Sequence, residues 1–334
     1  MGLEGFLERV RERRTEAGAP ATGPSPGPVF LIGTGPGDPG LLTLRAVQLM
    51  QSADVVLYDR LVSDDILRLV HSGARMVYVG KQAGYHTRTQ DEIHELLLEF
   101  AEAGATVVRL KGGDPYVFGR GGEEVQYLAS RGIRVLAVPG ITAAAGICAE
   151  LGIPMTHRGV ATAVRFLTGH SREGAEAEAS LAEAVAAAAD PHTTLVVYMG
   201  LGTLPKLVEQ LGAHGLPLGT PAVAVERGTT AEQRVAFAEL GGLMDATAAH
   251  ALRSPTLIII GKVVALAPGW GEWEAAGRPR ELAAAAWSAR AALPDAAAAV
   301  LGRASAAAEE GEGRRRGGRR EAAREGEGAA AGAA

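Results

Sequence analysis

The sequence predicts an α/β fold arranged as two α/β domains. Three observations carry this reading: short β-branched runs alternate with amphipathic helical segments from Val29 onward, glycine-rich turns follow several of the runs, and a second series begins after Ile153-Pro154. A chain of 334 residues with 47% apolar content is long enough for two domains, each with its own core. The pattern divides into a flexible N-terminal segment, 1–28, an N-terminal α/β domain, 29–150, a C-terminal α/β domain, 151–268, and a tail, 269–334.

The first series of strands reads VFLIG (29–33), DVVLYD (54–59), RMVYVG (75–80), TVVRLKG (106–112) and RVLAVPG (134–140), the signature of a largely parallel sheet. Helical periodicity covers LTLRAVQLMQSA after the first strand, QDEIHELLLEFAEAG before the fourth and GGEEVQYLASRG after it. Gly104 and Gly132 stand where C-terminal helix caps are expected. The second series is VRFLTGH, TTLVVYMG, PAVAVERG, RVAFAEL and PTLIIIGKVV. Its third and fourth members are so close in sequence that a hairpin must interrupt the second sheet.

Beyond Pro268 the composition shifts to Ala, Glu, Arg and Gly, and Arg303 to Ala334 contains no aromatic, Leu, Ile or Val. Such a segment cannot bury enough apolar surface to offset its ordering entropy, so disorder is expected and its removal should leave activity largely intact. Trp270, Trp273 and Trp287 all lie in this part.

Several function classes are disfavoured. The net charge of −5 argues against polyanion binding driven by overall charge, so no nucleic-acid partner is expected. No stretch approaches the roughly 20 apolar residues of a membrane span, so no transmembrane helix is expected. With one cysteine, Cys148, in an apolar run, neither an intrachain disulfide nor a cysteine-based metal site can form; a buried small hydrophobe is its plain reading. The first 28 residues lack the apolar core of a secretory signal and, with four Glu, make a poor transit peptide, although an upstream segment stays open.

The chemistry concentrates at strand ends. The first strand runs into Gly33-Thr34-Gly35-Pro36-Gly37-Asp38-Pro39-Gly40, where glycines permit special backbone angles and close ligand approach. In an open α/β sheet, ligands bind at such turns. A dinucleotide fingerprint is the competing reading, and Asp59 is suitably placed as its acidic residue. Against it, the third glycine comes one position early and the next helix starts only near Leu42. A second glycine-rich element, Lys111 to Glu124, follows the fourth strand, and Val138-Pro139-Gly140-Ile141-Thr142-Ala143 ends the fifth, with Thr142 able to cap a helix. Asp114 suits either a hydroxyl or cationic ligand or a turn, and Met199 either an adenine contact or core.

Taken in order, GTGPGDPGLLTLRA, LYDRLVSDDIL, VGKQAGYH, RLKGGDPYVFGRGGEE, PGITAAAGICAELGIPMTHRG and VYMG resemble the uroporphyrinogen-III C-methyltransferases of the tetrapyrrole methylase superfamily, from about Val29 to Pro268. The wording is most similar to plant and algal members, which implies a plastid setting, with a cytoplasmic one as the alternative. The resemblance implies a tetrapyrrole-methylase-like fold with a cofactor cleft between two α/β domains. It further implies two methyl transfers from S-adenosyl-L-methionine to uroporphyrinogen III, a homodimer and no metal.

On the same resemblance, the cofactor contacts fall on Pro36, Gly112, Gly113, Asp114, Val117, Thr142, Ala143, Met199 and Gly228. The proton acceptor and donor fall on Asp59 and Lys81, whose plain alternatives are a turn-capping aspartate and a surface ion pair. Uroporphyrinogen is a polycarboxylate, so a net-negative protein needs local cations, for which Arg45, Arg60, Lys81, Arg88, Arg109, Arg120, His157, Arg158 and Arg165 are candidates. No dehydrogenase and ferrochelatase module of the kind fused to some bacterial sirohaem synthases is present, so oxidation and iron insertion are expected to need other proteins. The rivals are a related methylase acting at another tetrapyrrole position, a nicotinamide-dependent dehydrogenase, and a scaffold that uses the charged tail after Arg303.

Overall fold

The structure, a computed structural model, describes residues 25–80, 88–169 and 183–278. Strands β1 (Val29–Gly33), β2 (Val55–Tyr58), β3 (Arg75–Tyr78), β4 (Val107–Lys111) and β5 (Val135–Val138) form one sheet in the order β3-β2-β4-β1-β5. Every pairing is parallel, with Val29 opposite both Val107 and Val135. The central strands are apolar on both sides because helices cover both faces. Side-chain alternation sends Leu31, Leu57 and Val107 toward α3 (Gln90–Glu102) and α4 (Gly121–Ala129). It sends Ile32, Val56, Val108 and Leu110 toward α1 (Leu44–Ser52) and α2 (Asp64–Leu67).

Local signals set the helix ends. Thr43, Ser63 and Thr89 each accept a hydrogen bond from a first-turn N–H, and Thr89 with Glu92 completes a capping box. Gly104 and Gly132 follow α3 and α4 with φ of 87° and 75°, the left-handed turn of a helix C-terminus.

The second sheet joins β6 (Ala163–Thr168), β7 (Thr193–Tyr198), β8 (Pro221–Glu226), β9 (Arg234–Glu239) and β10 (Thr256–Ile260) in the order β6-β7-β10-β8-β9. It is mixed: β6 and β7 pair parallel, whereas β7–β10, β10–β8 and β8–β9 are antiparallel. The β8–β9 pair is the hairpin that the closeness of those two runs required. One face packs on α6 (Leu204–Ala213) and α7 (Leu243–Ala249), the other on α5 (Ala143–Glu150) and α8 (Pro268–Ala275). The core of this half therefore takes in chain from Ala144 onward, ahead of residue 150. Cys148 is buried there, and burial pushes its thiol up to about 12, as suits a small apolar residue.

Residues 269–278, placed in the tail by composition, pack on the second half. Trp270 and Trp273, 4% and 6% exposed, sit one helical turn apart on α8 and insert into the second core. Two indoles bury enough apolar surface to hold a segment otherwise made of Ala, Gly, Glu and Pro. Trp287 and Arg303–Ala334 lie outside the described residues. Among the described residues, no helix is long and apolar enough to cross a membrane.

Candidate active site

Because β1 lies between β4 and β5, the turns leaving these three strands meet at one edge of the sheet. The chain leaves β1 and β4 toward opposite faces, which opens a crevice at that edge. Contact there is backbone on backbone. A Cβ added at Gly33 would stand 2.5 Å from the Gly140 nitrogen and 2.7 Å from the Gly113 oxygen. Gly35 and Gly113, with φ of 73° and 71°, exchange N–H···O bonds of 3.2 and 2.7 Å. Asp114 ties the second loop to the third: Oδ1 accepts from the Tyr116 N–H at 2.9 Å and Oδ2 from the Gly140 N–H at 3.1 Å.

Loops of the second half meet the same edge. The Asp38 N–H donates to Thr229 Oγ1 at 3.3 Å, and the Ala144 N–H donates to the Tyr198 hydroxyl at 3.1 Å. Burial raises the Tyr198 phenol, whose ring packs on Phe118 and Phe166 at 5.0 and 5.8 Å. A Cβ at Gly146 would meet Pro36 at 2.6 Å, and one at Gly228 would meet Ile147 at 2.3 Å. Phe118, Arg120, Met199, Arg227 and Thr229 all hold positive φ on these loops, a conformation that costs non-glycine residues about 1–3 kcal/mol and is common at functional sites.

The nine residues expected to contact a cofactor thus lie on loops that touch one another. Pro36 packs on α5, Gly112 on Leu61, and Gly113 pairs with Gly35. The half-buried Val117 donates its N–H to the Asp114 carbonyl, Thr142 caps α5 through the Ala145 N–H, and Ala143 opens that helix. Gly228 is buried, while Met199 is 53% exposed. Tyr116, Phe118 and Ile141 are exposed with Met199, leaving apolar surface at the loop ends that a flat base can cover. The α1 N-terminus offers no phosphate seat: a 3₁₀ turn over Pro39–Leu41 precedes it, and the Thr43 side chain caps it.

Asp59 follows β2, and Arg109 and Lys111 lie on β4 with the same parity, so all three point to the α3/α4 face. Asp59 Oδ2 accepts from Arg109 Nη2 at 2.9 Å and Oδ1 from the Leu61 N–H at 3.0 Å. Glu124, on α4 and wholly buried, accepts from Lys111 Nζ at 2.9 Å and Gln90 Nε2 at 3.2 Å, and lies 3.6 Å from Arg109 Nε. Burial, then the Arg109 charge, lowers the Lys111 ammonium against the opposing pull of Glu124 and Asp59. Arg109 is thereby removed from the candidate substrate cations: only 4% exposed, its guanidinium serves interior carboxylates. Arg45, Arg60, His157 and Arg158 are exposed, Arg88 and Arg165 are half-buried, and Arg120 is exposed but grips Glu123. Lys81 lies outside the described residues.

His94, on α3, bonds Gln90 and stacks on Tyr127 at 4.6 Å. Burial lowers its imidazole, with Arg120 in the same direction and Glu124, Asp91 and Glu123 opposing. With the folded value below the unfolded one, the unfolded chain binds more protons, so stability present above pH 6.5 is lost as pH falls through the folded value. Urea unfolding between pH 7 and 5 is expected to show this loss, and His94→Gln to flatten it.

Sequence reasoning missed Glu124 and Tyr198 as site residues. The alternation in VVRLK, which aims two cations at a helix-covered face, was the available signal for Glu124. Nothing local marked Tyr198, whose hydroxyl finds Ala144 only after folding.

Residues 28–243 match the family described as Tetrapyrrole (Corrin/Porphyrin) Methylases. The chain is 65% identical over 268 residues, 80% of its length and 72% of the relative's, to the S-adenosyl-L-methionine-dependent uroporphyrinogen III methyltransferase, chloroplastic, of Arabidopsis thaliana. It is 50% identical over 265 residues to the siroheme synthase of Pseudomonas aeruginosa, covering 79% of this chain and 56% of that protein, so it spans about half the length of that relative. Among solved structures, the uroporphyrin-III C-methyl transferase from Thermus thermophilus complexed with S-adenyl homocysteine aligns with a TM-score of 0.60 at 40% identity, over 72% of this chain and 94% of that one. A cobalt precorrin-4 methyltransferase aligns with a TM-score of 0.62 at 28% identity, over 71% and 95%.

Proposed function

The chain belongs to the tetrapyrrole (corrin/porphyrin) methylases, and from that premise we propose that it transfers two methyl groups from S-adenosyl-L-methionine to uroporphyrinogen III, giving precorrin-2 for sirohaem synthesis. The observation that carries this is 65% identity to the Arabidopsis methyltransferase across 80% of the chain. The rival within the family, methylation at another ring position, has the weaker likeness of 28% identity.

The bound cofactor supplies an activated sulfonium methyl. The chain's own task is to hold donor and carbon nucleophile in line and to move the ring proton. Pro36, Gly112, Gly113, Asp114, Val117, Thr142, Ala143, Met199 and Gly228 form the cofactor contacts, between the sheet of β1–β5 and that of β6–β10, with the halves dividing near residue 150. Their fit rests on the backbone cradle at Gly33, Gly113 and Gly140 and on the apolar surface around Met199. Asp59 takes the proton and Lys81 returns one. The likeness to a protein named chloroplastic supports a plastid location. The protein acts as a homodimer, for which light scattering on a sizing column is expected to give twice the chain mass.

The test is anaerobic incubation of purified protein with uroporphyrinogen III and S-adenosyl-L-methionine, with product mass read after oxidation. Two added methyls are expected. Methyls at other ring positions, read from the NMR spectrum of the oxidised product, would change the reaction assigned, and no mass change with S-adenosylhomocysteine still bound would remove uroporphyrinogen III.

A further inference from the structure

The charged cluster beneath the sheet edge is an unusual way to build a core. Asp59, Arg109, Lys111 and Glu124 bring two acids and two bases together, with Arg109 and Lys111 about 95% buried and Glu124 fully so. Removing such groups from water costs several kcal/mol per ion, and well-packed apolar residues often replace them without loss of stability. The cluster is also incompletely satisfied: Arg109 Nε and Glu124 Oε2 are buried without a hydrogen-bond partner among the described residues. Packing alone does not account for it.

Its geometry does. Of the four carboxylate and cation side chains, Asp59 alone reaches the surface appreciably, with 22% of its side chain exposed. Its Oδ1 is pinned by the Leu61 N–H and its Oδ2 by Arg109. Arg109 is itself held on its other sides, donating from Nη1 to the Leu110 carbonyl at 2.7 Å and lying 3.6 Å from Glu124. Glu124 is held by Lys111 and Gln90. Each oxygen of Asp59 thus accepts one bond that fixes the carboxylate plane and keeps a further lone pair for another partner.

We propose that Arg109 and Glu124 are positioning residues for the reaction: Glu124 sets the guanidinium of Arg109, and Arg109 sets the Asp59 carboxylate against the substrate. This rests on the reading of Asp59 as the proton acceptor. Neither residue touches substrate, so each acts through Asp59. Removing either loosens that carboxylate while leaving the glycine loops, and hence cofactor affinity, in place.

Glu124→Gln, which keeps the shape, and Arg109→Lys, which keeps the charge but not the fork, provide two routes should one variant fail to fold. Each is made alone and in an Asp59→Asn background, and methyl transfer is measured beside S-adenosylhomocysteine binding by calorimetry. Each single variant is expected to lower kcat about 10- to 100-fold, a fraction of the roughly 10²- to 10⁴-fold that acid–base help supplies, with Kd for S-adenosylhomocysteine unchanged. In the Asp59→Asn background neither is expected to lower kcat further, because a residue acting through Asp59 has nothing left to act on. Losses that multiply in the double variants overturn the positioning role and leave Asp59 as proton acceptor. Wild-type turnover by Asp59→Asn overturns the proton-acceptor reading and the positioning role with it.

Discussion

Gly140→Ala is expected to weaken S-adenosylhomocysteine binding by at least about tenfold, or ~1.4 kcal/mol, and to destabilise the fold by about 1–3 kcal/mol. The added methyl would lie 2.2 Å from the Gly113 oxygen and within 2.8 Å of the Gly33 backbone. These are backbone atoms of strand-end loops, so no side chain can swing away and the three loops must separate. The Asp114 Oδ2 bond to the Gly140 N–H is broken in the same movement. Gly122→Ala is the matched control. An added Cβ there meets nothing within 4 Å, and inside α4 alanine is expected to stabilise by about 0.5–1 kcal/mol without affecting binding. Calorimetry and urea unfolding of both variants check this. Wild-type affinity in Gly140→Ala would mean that the meeting point of the loops is not the cofactor seat.

Trp270→Ala is expected to cost about 3–5 kcal/mol and to lower the melting temperature by about 10 °C. Trp270 is 4% exposed, packs edge-on to Phe237 at 6.2 Å and lies 4.6 Å from Trp273. Truncation leaves a cavity lined by the second core, and the loss of α8 docking also frees Arg278 from its ion pair with Glu239. Removing residues 269–334 takes away the indoles of Trp270 and Trp273 and is expected to destabilise more than Trp270→Ala alone. Thermal unfolding of the point variant and of the truncation checks this. A change below about 1 kcal/mol in Trp270→Ala would show that α8 does not belong to the core.

The two halves differ in how far they could be read in advance. Among the described residues, nine of the ten strands lie within the apolar runs seen in the sequence and β6 begins one residue ahead of its run, because period-two and β-branched patterns are local properties of the chain. Helix ends were legible for the same reason, since Thr142, Gly104 and Gly132 act on their own turns. Loop motifs in order also carried the family, and with it the cofactor. The boundary at residue 269 was misread because low average hydrophobicity hid two large side chains that bury well.

The set of elements, much of their capping and the glycine positions where strands must turn are written in the chain alone, because all of them depend on neighbours within a few residues. Folding alone fixes the order β3-β2-β4-β1-β5, the antiparallel pairing of β10 with β7 and β8, and the seating of α5 and α8 in the second core. It also decides that Arg109 serves Asp59 rather than a polycarboxylate, and that Glu124 and Tyr198 belong to the site. The contacts of Arg109 with Asp59 and of Tyr198 with Ala144 join residues 50 and 54 positions apart, and their energies depend on desolvation and distance, which exist only once the chain has folded.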